Sequence, residues 1–518
     1  MSLPSATSYD LVVVGSGPTG STYVREVYDH HPTARILLLD AGPRLSDPPG
    51  GHVKNIPDPG ERARAQRASE GPGPAGRPGT WLLGAPDLPA AALSTNVGGM
   101  GAHWTGACPR PGGGERIGFV PAAEMDAHLT RAEQLLCVDS HAFDQAPFAD
   151  EVRGRLSALL DAGRPVHRRV APMPLAVTGR PDGAHVWSGT DVVLGPAARD
   201  ERVEIADRCL CPRVVLDAGT ATGVMVRDLV TGEERAITAR AVVVAADALR
   251  TPQLLHASGI RPPALGRYLN DQPQIVHAAR LPDDVVTAHR AVTGRTRDED
   301  GAIVPQSGVS WVPYTDAHPF HGQVMQLDAS PVPLADDTAV EPGAIVGLGW
   351  FCAKDVTADD RVEFDDTTAD AYGMPAMRVH HRYTERDLTA IEQAKKAVAE
   401  AAAAVGVPLD DSPVLLPAGS SLHYQGTTRM GPADDGTSVC DGHSRVWNTR
   451  GLWVAGNNVI PTATACNPTL TSVALAVRGA RSLVDHLRST AGHGGAARQT
   501  AADTAETSRT DTDQTAAP

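Results

Sequence analysis

DLVVVGSGPTGSTYVREVYDHHPTARILLLD, from Asp10 to Asp40, decides how this chain folds. A short apolar run, Leu11 to Val14, ends at Gly15. The segment after it opens on Pro18, where a missing N–H costs a helix least. A second apolar run, Ile36 to Leu39, ends at Asp40. Strand, tight turn, helix and strand make a β-α-β unit, and Gly15-Ser16-Gly17-Pro18-Thr19-Gly20 supplies G-x-G-x-x-G at its turn. In that context the motif is a dinucleotide site. Gly15 makes the turn, Gly17 lets a pyrophosphate approach the backbone, and Gly20 lets helix and strand pack closely. The helix N-terminus stabilises phosphate charge, and Asp40 is placed to accept hydrogen bonds from a ribose.

The rest of the chain sets broad limits. Its 518 residues allow two to four domains at about 100–200 residues each. A net charge of −15, from 46 basic and 61 acidic residues, argues against a nucleic-acid partner and against an anionic membrane surface. The seven cysteines include no C-x-x-C, and Cys209 and Cys211 are too close for an ordinary zinc pair. Free thiols in a reducing compartment and no metal are expected. MSLPSATSYD has neither a basic nor an apolar region of a secretion signal. No apolar run approaches the ~20 residues of a membrane span. The expectation is a cytoplasmic protein with no membrane partner.

Residues 45–95 read as irregular, with ASEGPGPAGRPGT a mobile surface loop. NVGGMGAHWTGACPRPGGG follows as a glycine-dense loop. Helical periodicity returns over 121–165, short strands over 202–245, and alternation typical of an antiparallel sheet over 275–385. RDLTAIEQAKKAVAEAAAAVG is a helix stopped by Gly406 and Pro408. The polar, low-complexity segment 489–518 is expected to be disordered.

Four stretches, YDLVVVGSGPTGS, NVGGMGAHWTGA, VVVAADALRTPQLLHASGIRPPALGRYLND and NPTLTSVALAVRGA, resemble the glucose-methanol-choline (GMC) oxidoreductases, FAD enzymes that oxidise alcohols. They occur in the family's order and span nearly the whole chain. GGMGAHWT, DALRTPQLL and TTRMG with NPTLT are most similar to the branch of pyranose 2-oxidases and C-glycoside 3-oxidases. The resemblance implies an α/β fold with two parts. A Rossmann-like FAD-binding domain would comprise 1–115, 201–275 and 418–488. A substrate-binding domain with an antiparallel sheet and helices would comprise 116–200 and 276–417.

The same resemblance assigns the site. His423, in SLHYQGTTRMG, and Asn467, before Pro468, match the family's catalytic pair. Removing a hydroxyl proton while hydride leaves carbon for flavin N5 needs a base, and neutral imidazole suits it. The Asn amide can hold the developing alkoxide. Gly15, Gly17, Gly20, Asp40, Gly98, Gly99, His103, Thr105, Asn457 and Thr469 would bind FAD. His103 matches the histidine joined covalently to flavin in fungal pyranose 2-oxidases. The preceding Gly101-Ala102 departs from that pattern and favours noncovalent FAD, with the covalent link as alternative. Trp104 reads as a core anchor. Gln326 and Asp328 are candidate sugar contacts, and their loop lacks the aromatic residues of the fungal one, which favours a glycoside over free glucose.

The implied activity is oxidation of a pyranose C3 or C2 hydroxyl to a ketone, with O2 reduced to H2O2. Alternatives are a pyranose 2-oxidase acting on glucose, a dehydrogenase using a quinone-type acceptor, a non-redox flavin-containing lyase, and an inactive binding protein. A monomer and a homo-oligomer both remain open.

Overall fold

The computed structural model describes residues 3–69, 81–82, 85–144, 146–180, 184–293, 309–327 and 343–510. Two large sheets organise it. In the first, Ser8–Val14, Ile36–Leu39 and Val203–Ala206 run parallel, in the order 203–206, 36–39, 8–14. Glu234–Val244 is parallel to Ser8–Val14 on its other side. This long strand serves two neighbours. Its first half pairs antiparallel with Thr220–Asp228, which hairpins to Cys209–Asp217, and its last three residues pair parallel with Leu452–Val454.

The central strands are buried on both faces, which is why they read as continuous Val/Leu runs rather than as alternation. Val12, Val14, Leu37, Leu39, Val242 and Val244 enter one core. Leu11, Val13, Ile36, Leu38, Ala241 and Val243 enter the other, against Tyr23, Val24 and Val27 of helix Pro18–His30 and Ala480, Leu483 and Leu487 of the C-terminal helix.

The second sheet is antiparallel. Gln274–Arg280, Ile345–Cys352, Phe320–Leu327 and Val309–Val312 are successive neighbours. One face packs on helices Ala149–Leu160 and Glu385–Val405 through Val152, Leu156, Val324, Leu348, Trp350, Val398 and Ala401. The longer helix starts with a capping box. Thr384 Oγ1 accepts from Asp387 N at 3.1 Å, and Asp387 Oδ2 accepts from Thr384 N at 2.8 Å. It stops at Gly406.

Three differences from expectation have physical causes. The irregular 45–95 segment contains helix Pro59–Ser69, capped where Asp58 Oδ1 accepts from Glu61 N at 2.7 Å. The proposed loop lies almost wholly in 70–80, outside the described residues. The helix opening at Thr469 is continuous to Thr510, through much of the expected tail, in a stretch rich in the strong helix former Ala; residues 511–518 lie outside the described residues. Finally, 116–200 divides between the two layers. Helix Ala122–Leu136 packs through Met125, Leu129 and Ala132 on the nucleotide-side core, where Glu124 pairs with Arg478 at 2.7 Å. Helix Ala149–Leu160 belongs to the other sheet.

Candidate active site

The glycine motif sits where Ser8–Val14 meets helix Pro18–His30. Gly15 has φ +100°, and a Cβ there would lie 2.2 Å from Ala245 O. A Cβ on Gly20 would lie 2.0 Å from Gly15 O. Around Gly17, by contrast, a Cβ would meet nothing within 4 Å. That open space at an uncapped helix N-terminus fits the pyrophosphate of a dinucleotide. The glycine-dense loop reaches the same place. Gly98 N donates to Ser16 Oγ at 2.8 Å, and Ser16 Oγ donates to Asp40 Oδ2 at 2.5 Å. Gly98 and Gly99 both have positive φ, and a Cβ on Gly99 would lie 3.3 Å from Gly17 Cα. Burial pushes the Asp40 carboxyl up to about 6, against hydrogen bonds from Ser16 and from Gly42 N.

Further along this loop, Ser94 Oγ lies 2.7 Å from His103 Nε2. Trp104 packs on the nucleotide-side core and donates from Nε1 to Ser188 O at 2.9 Å. Thr105 is exposed. Asn457 opens a short turn whose carbonyl accepts from Gly426 N at 3.3 Å, and Thr469 begins the C-terminal helix.

His423 and Asn467, far apart in sequence, meet in space. Asn467 Nδ2 lies 3.2 Å from His423 Nε2. Each side chain stands on a loop held by a buried carboxylate. Asp271 accepts from Gly419 N at 3.0 Å, from His423 N at 3.3 Å and from Ser421 Oγ. Glu115 Oε1 accepts from Ala465 N and Cys466 N, each at 2.8 Å. Burial raises both carboxyls, that of Asp271 to about 6, while these donors work in the opposite direction.

His423 Nδ1 lies 2.8 Å from Gln272 Oε1. An amide oxygen only accepts, so Nδ1 carries the proton and Nε2 presents a lone pair to Asn467. Burial lowers the His423 pKa to about 4, so the ring is neutral at pH 7. The free face of the second sheet closes the site. His321 and Gln323 point toward it, with Gln323 Nε2 donating to Asn467 Oδ1 at 2.6 Å and the Phe351 ring 5.5 Å from that of His423. Trp311 Nε1 donates to His321 Nδ1 at 3.1 Å, which places the His321 proton on Nε2. The ring is wholly buried, and burial holds its pKa down at about 3.

Of the proposed substrate contacts, Gln326 stands apart. Strand alternation turns it to the face of Phe320 and Val324, where it is 2 % exposed and donates to Pro147 O. Asp328 lies outside the described residues. Sequence reading missed Gln272, which directly follows the quoted GRYLND stretch, and the HxQ alternation of His321 and Gln323. It also missed the anchors Asp271 and Glu115, whose roles depend on loops distant in sequence.

A lone pair and an amide N–H thus converge on one point, an arrangement that can take a proton from an alcohol and hold its oxygen. Sequence models of the GMC oxidoreductase family match residues 167–274 and 357–476. The chain is 55 % identical to a C-glycoside 3-oxidase of Arthrobacter globiformis over 93 % of this chain and 96 % of that one. It is 31 % identical to a pyranose 2-oxidase of Tricholoma matsutake over 92 % and 94 % of the two chains. A formate oxidase variant of Aspergillus oryzae shares the fold, with TM-score 0.65 at 14 % identity over 95 % of this chain and 100 % of that one. The protein belongs to the GMC oxidoreductases, and FAD is its cofactor.

Proposed function

We propose that this protein oxidises the C3 hydroxyl of a pyranose in a glycoside to a ketone, with O2 as acceptor. The observation that carries the chemistry is the pairing of the His423 Nε2 lone pair with Asn467 Nδ2 at 3.2 Å. Likeness to the C-glycoside 3-oxidase, closer than to the pyranose 2-oxidase, supports glycoside over free glucose and C3 over C2.

Bound FAD would supply the acceptor for the hydride from the substrate carbon, and its reoxidation by O2, with the hydroxyl proton taken up by His423, would give H2O2. The chain's own residues do the rest. His423 takes the hydroxyl proton at Nε2 as base. Asn467 donates from Nδ2 to the oxygen as negative charge develops there. His321 and Gln323 fix the Asn467 amide and line the sugar side. Gly15, Gly17, Gly20 and Asp40 hold the nucleotide, while Gly98, Gly99, Thr105, Asn457 and Thr469 lie along the flavin end. His103 beside Ser94 Oγ belongs to noncovalent FAD in this reading. No disulfide joins any of the seven cysteines among the described residues, which suits a cytoplasmic location. Among the described residues no helix is long and apolar enough to cross a membrane.

Mixing the protein anaerobically with glycosides and with free sugars tests this. Bleaching of the visible flavin band by a C- or O-glycoside, with a 3-keto product, is expected. Bleaching by glucose alone, with a 2-keto product, would move the activity to pyranose 2-oxidation.

A further inference from the structure

Hydrogen-bond direction around His423 is dictated from outside the site. Cys466 O, which can only accept, lies 2.9 Å from one end of the Gln272 amide. That end is therefore nitrogen, and the oxygen faces His423 Nδ1. The same nitrogen donates to Thr464 Oγ1 at 3.2 Å, and the single Thr464 proton goes to Gln425 Oε1 at 3.2 Å. Gln425 Nε2 donates to Asn270 Oδ1 at 3.3 Å and to Thr462 O at 3.4 Å. Asn270 Nδ2 ends the row on Lys354 O at 2.9 Å. On the substrate side, Gln323 donates to Asn467 and Asn467 to His423. From Gln323 to the Lys354 carbonyl, every group donates the same way. Asn270, Gln272, Gln425 and Thr464 are all buried.

We propose that Asn270, Gln425, Thr464 and Gln272 form a polarised relay that locks His423 with its proton on Nδ1 and its lone pair on Nε2, with Gln272 the positioning residue. The proposal rests on the reading of His423 as base. In the other tautomer, bare Nδ1 would face the Gln272 oxygen, and the row cannot reverse because the Cys466 and Lys354 carbonyls cannot donate. Such a wrong tautomer disables a base even when geometry is kept. When His423 takes a proton at Nε2, the positive ring finds the oxygen end of an already aligned amide, and alignment along the row strengthens each bond.

The test is the pH profile of anaerobic flavin reduction by a glycoside in the FAD-loaded enzyme, for Gln272→Leu, Gln272→Glu and Gln425→Leu. Gln272→Leu should lose about 100-fold in reduction rate with substrate affinity retained. Gln272→Glu should recover much of the rate, because its carboxyl oxygen still accepts from Nδ1, and its acid limb should move to higher pH as the anion raises His423 basicity. Gln425→Leu, which does not touch His423, should lose about tenfold with its acid limb also shifted. Equal loss in Gln272→Leu and Gln272→Glu with unmoved profiles, or wild-type behaviour in Gln272→Leu, would overturn the relay. If Gln272→Leu fails to hold FAD, an unmoved Gln425→Leu profile overturns it instead. His423→Ala separates the two readings: wild-type reduction there removes the base itself, whereas loss there with normal Gln272→Leu removes only the relay.

Discussion

The two ends of this active site are built from different materials. The nucleotide end is main chain. Gly15 and Gly20 are needed because backbone occupies the space a side chain would take, whereas Gly17 borders open space that fits a pyrophosphate. The catalytic end is side chain. His423 and Asn467 depend on amides, carboxylates and one hydroxyl delivered from residues 115, 270–272, 323, 425 and 464. A main-chain site tolerates almost any neighbour except a Cβ. A side-chain site tolerates almost any Cβ but no misdirected proton. Mutations should therefore fail in different ways at the two ends.

The largest expected effect is at the catalytic end. His423→Ala should slow flavin reduction by about 10²–10⁴-fold while the protein stays yellow, and Asn467→Ala by about 10²–10³-fold. Rapid-mixing absorbance under anaerobic conditions reads both. Loss of FAD from these variants would blur the contrast between the two ends.

Next comes a pair of glycines. Gly20→Ala should cost about 1–3 kcal/mol by overpacking, because its methyl would lie 2.0 Å from a carbonyl oxygen, and the protein should emerge without flavin. Gly17→Ala should leave the fold within about 0.5 kcal/mol yet weaken FAD binding. Thermal unfolding of the FAD-free proteins and FAD titration separate the two, and equal destabilisation would contradict the open space at Gly17.

The pH dependence sharpens the same contrast. With the His423 pKa lowered to about 4, the base is free above that value, so reduction should hold steady through neutral pH and fall only as pH drops through about 4. A His423→Gln variant should lose this limb. Stability moves in the same direction. The His423 and His321 rings are held neutral in the fold, while an unfolded histidine titrates near about 6.5. The unfolded state therefore binds more protons below that pH, and stability should decline as pH falls from about 6.5 toward the folded values.

The smallest effects distinguish two glutamines on one strand. Gln326→Ala should cost about 1–2 kcal/mol of stability and leave turnover unchanged, since its side chain bonds Pro147 O on the covered face. Gln323→Ala should spare stability and weaken turnover by releasing the Asn467 amide. Urea unfolding and steady-state kinetics on both variants read the two effects.

Alternation explains why the sequence pointed to Gln326 when Gln323 is the glutamine that bonds Asn467. FHGQVMQL offers glutamines at 323 and 326, and only the register, His321 against Phe351 and Gln323 against Gly349, shows which face meets His423. The β-α-β unit, the glycine cradle and Asp40 were legible because each rests on local rules: apolar runs, a tight turn, a helix opening on Pro; the loops bearing His423 and Asn467 were legible only through the resemblance to the family's motifs. A helix at 59–69 and the continuation to Thr510 were not, because short polar windows carry little periodicity.

By itself, the sequence determined that a glycine turn shaped for a dinucleotide stands at the first strand–helix junction, since steric exclusion of Cβ atoms is a property of a few adjacent residues. It also determined that a histidine and an asparagine lie in the late loops, since the family's motifs carry them. Only the tertiary structure decided which nitrogen of His423 holds the proton. That choice depends on two main-chain carbonyls, at Cys466 and Lys354, that face inward from separate segments, and a carbonyl's direction is fixed by packing rather than by the residue that bears it.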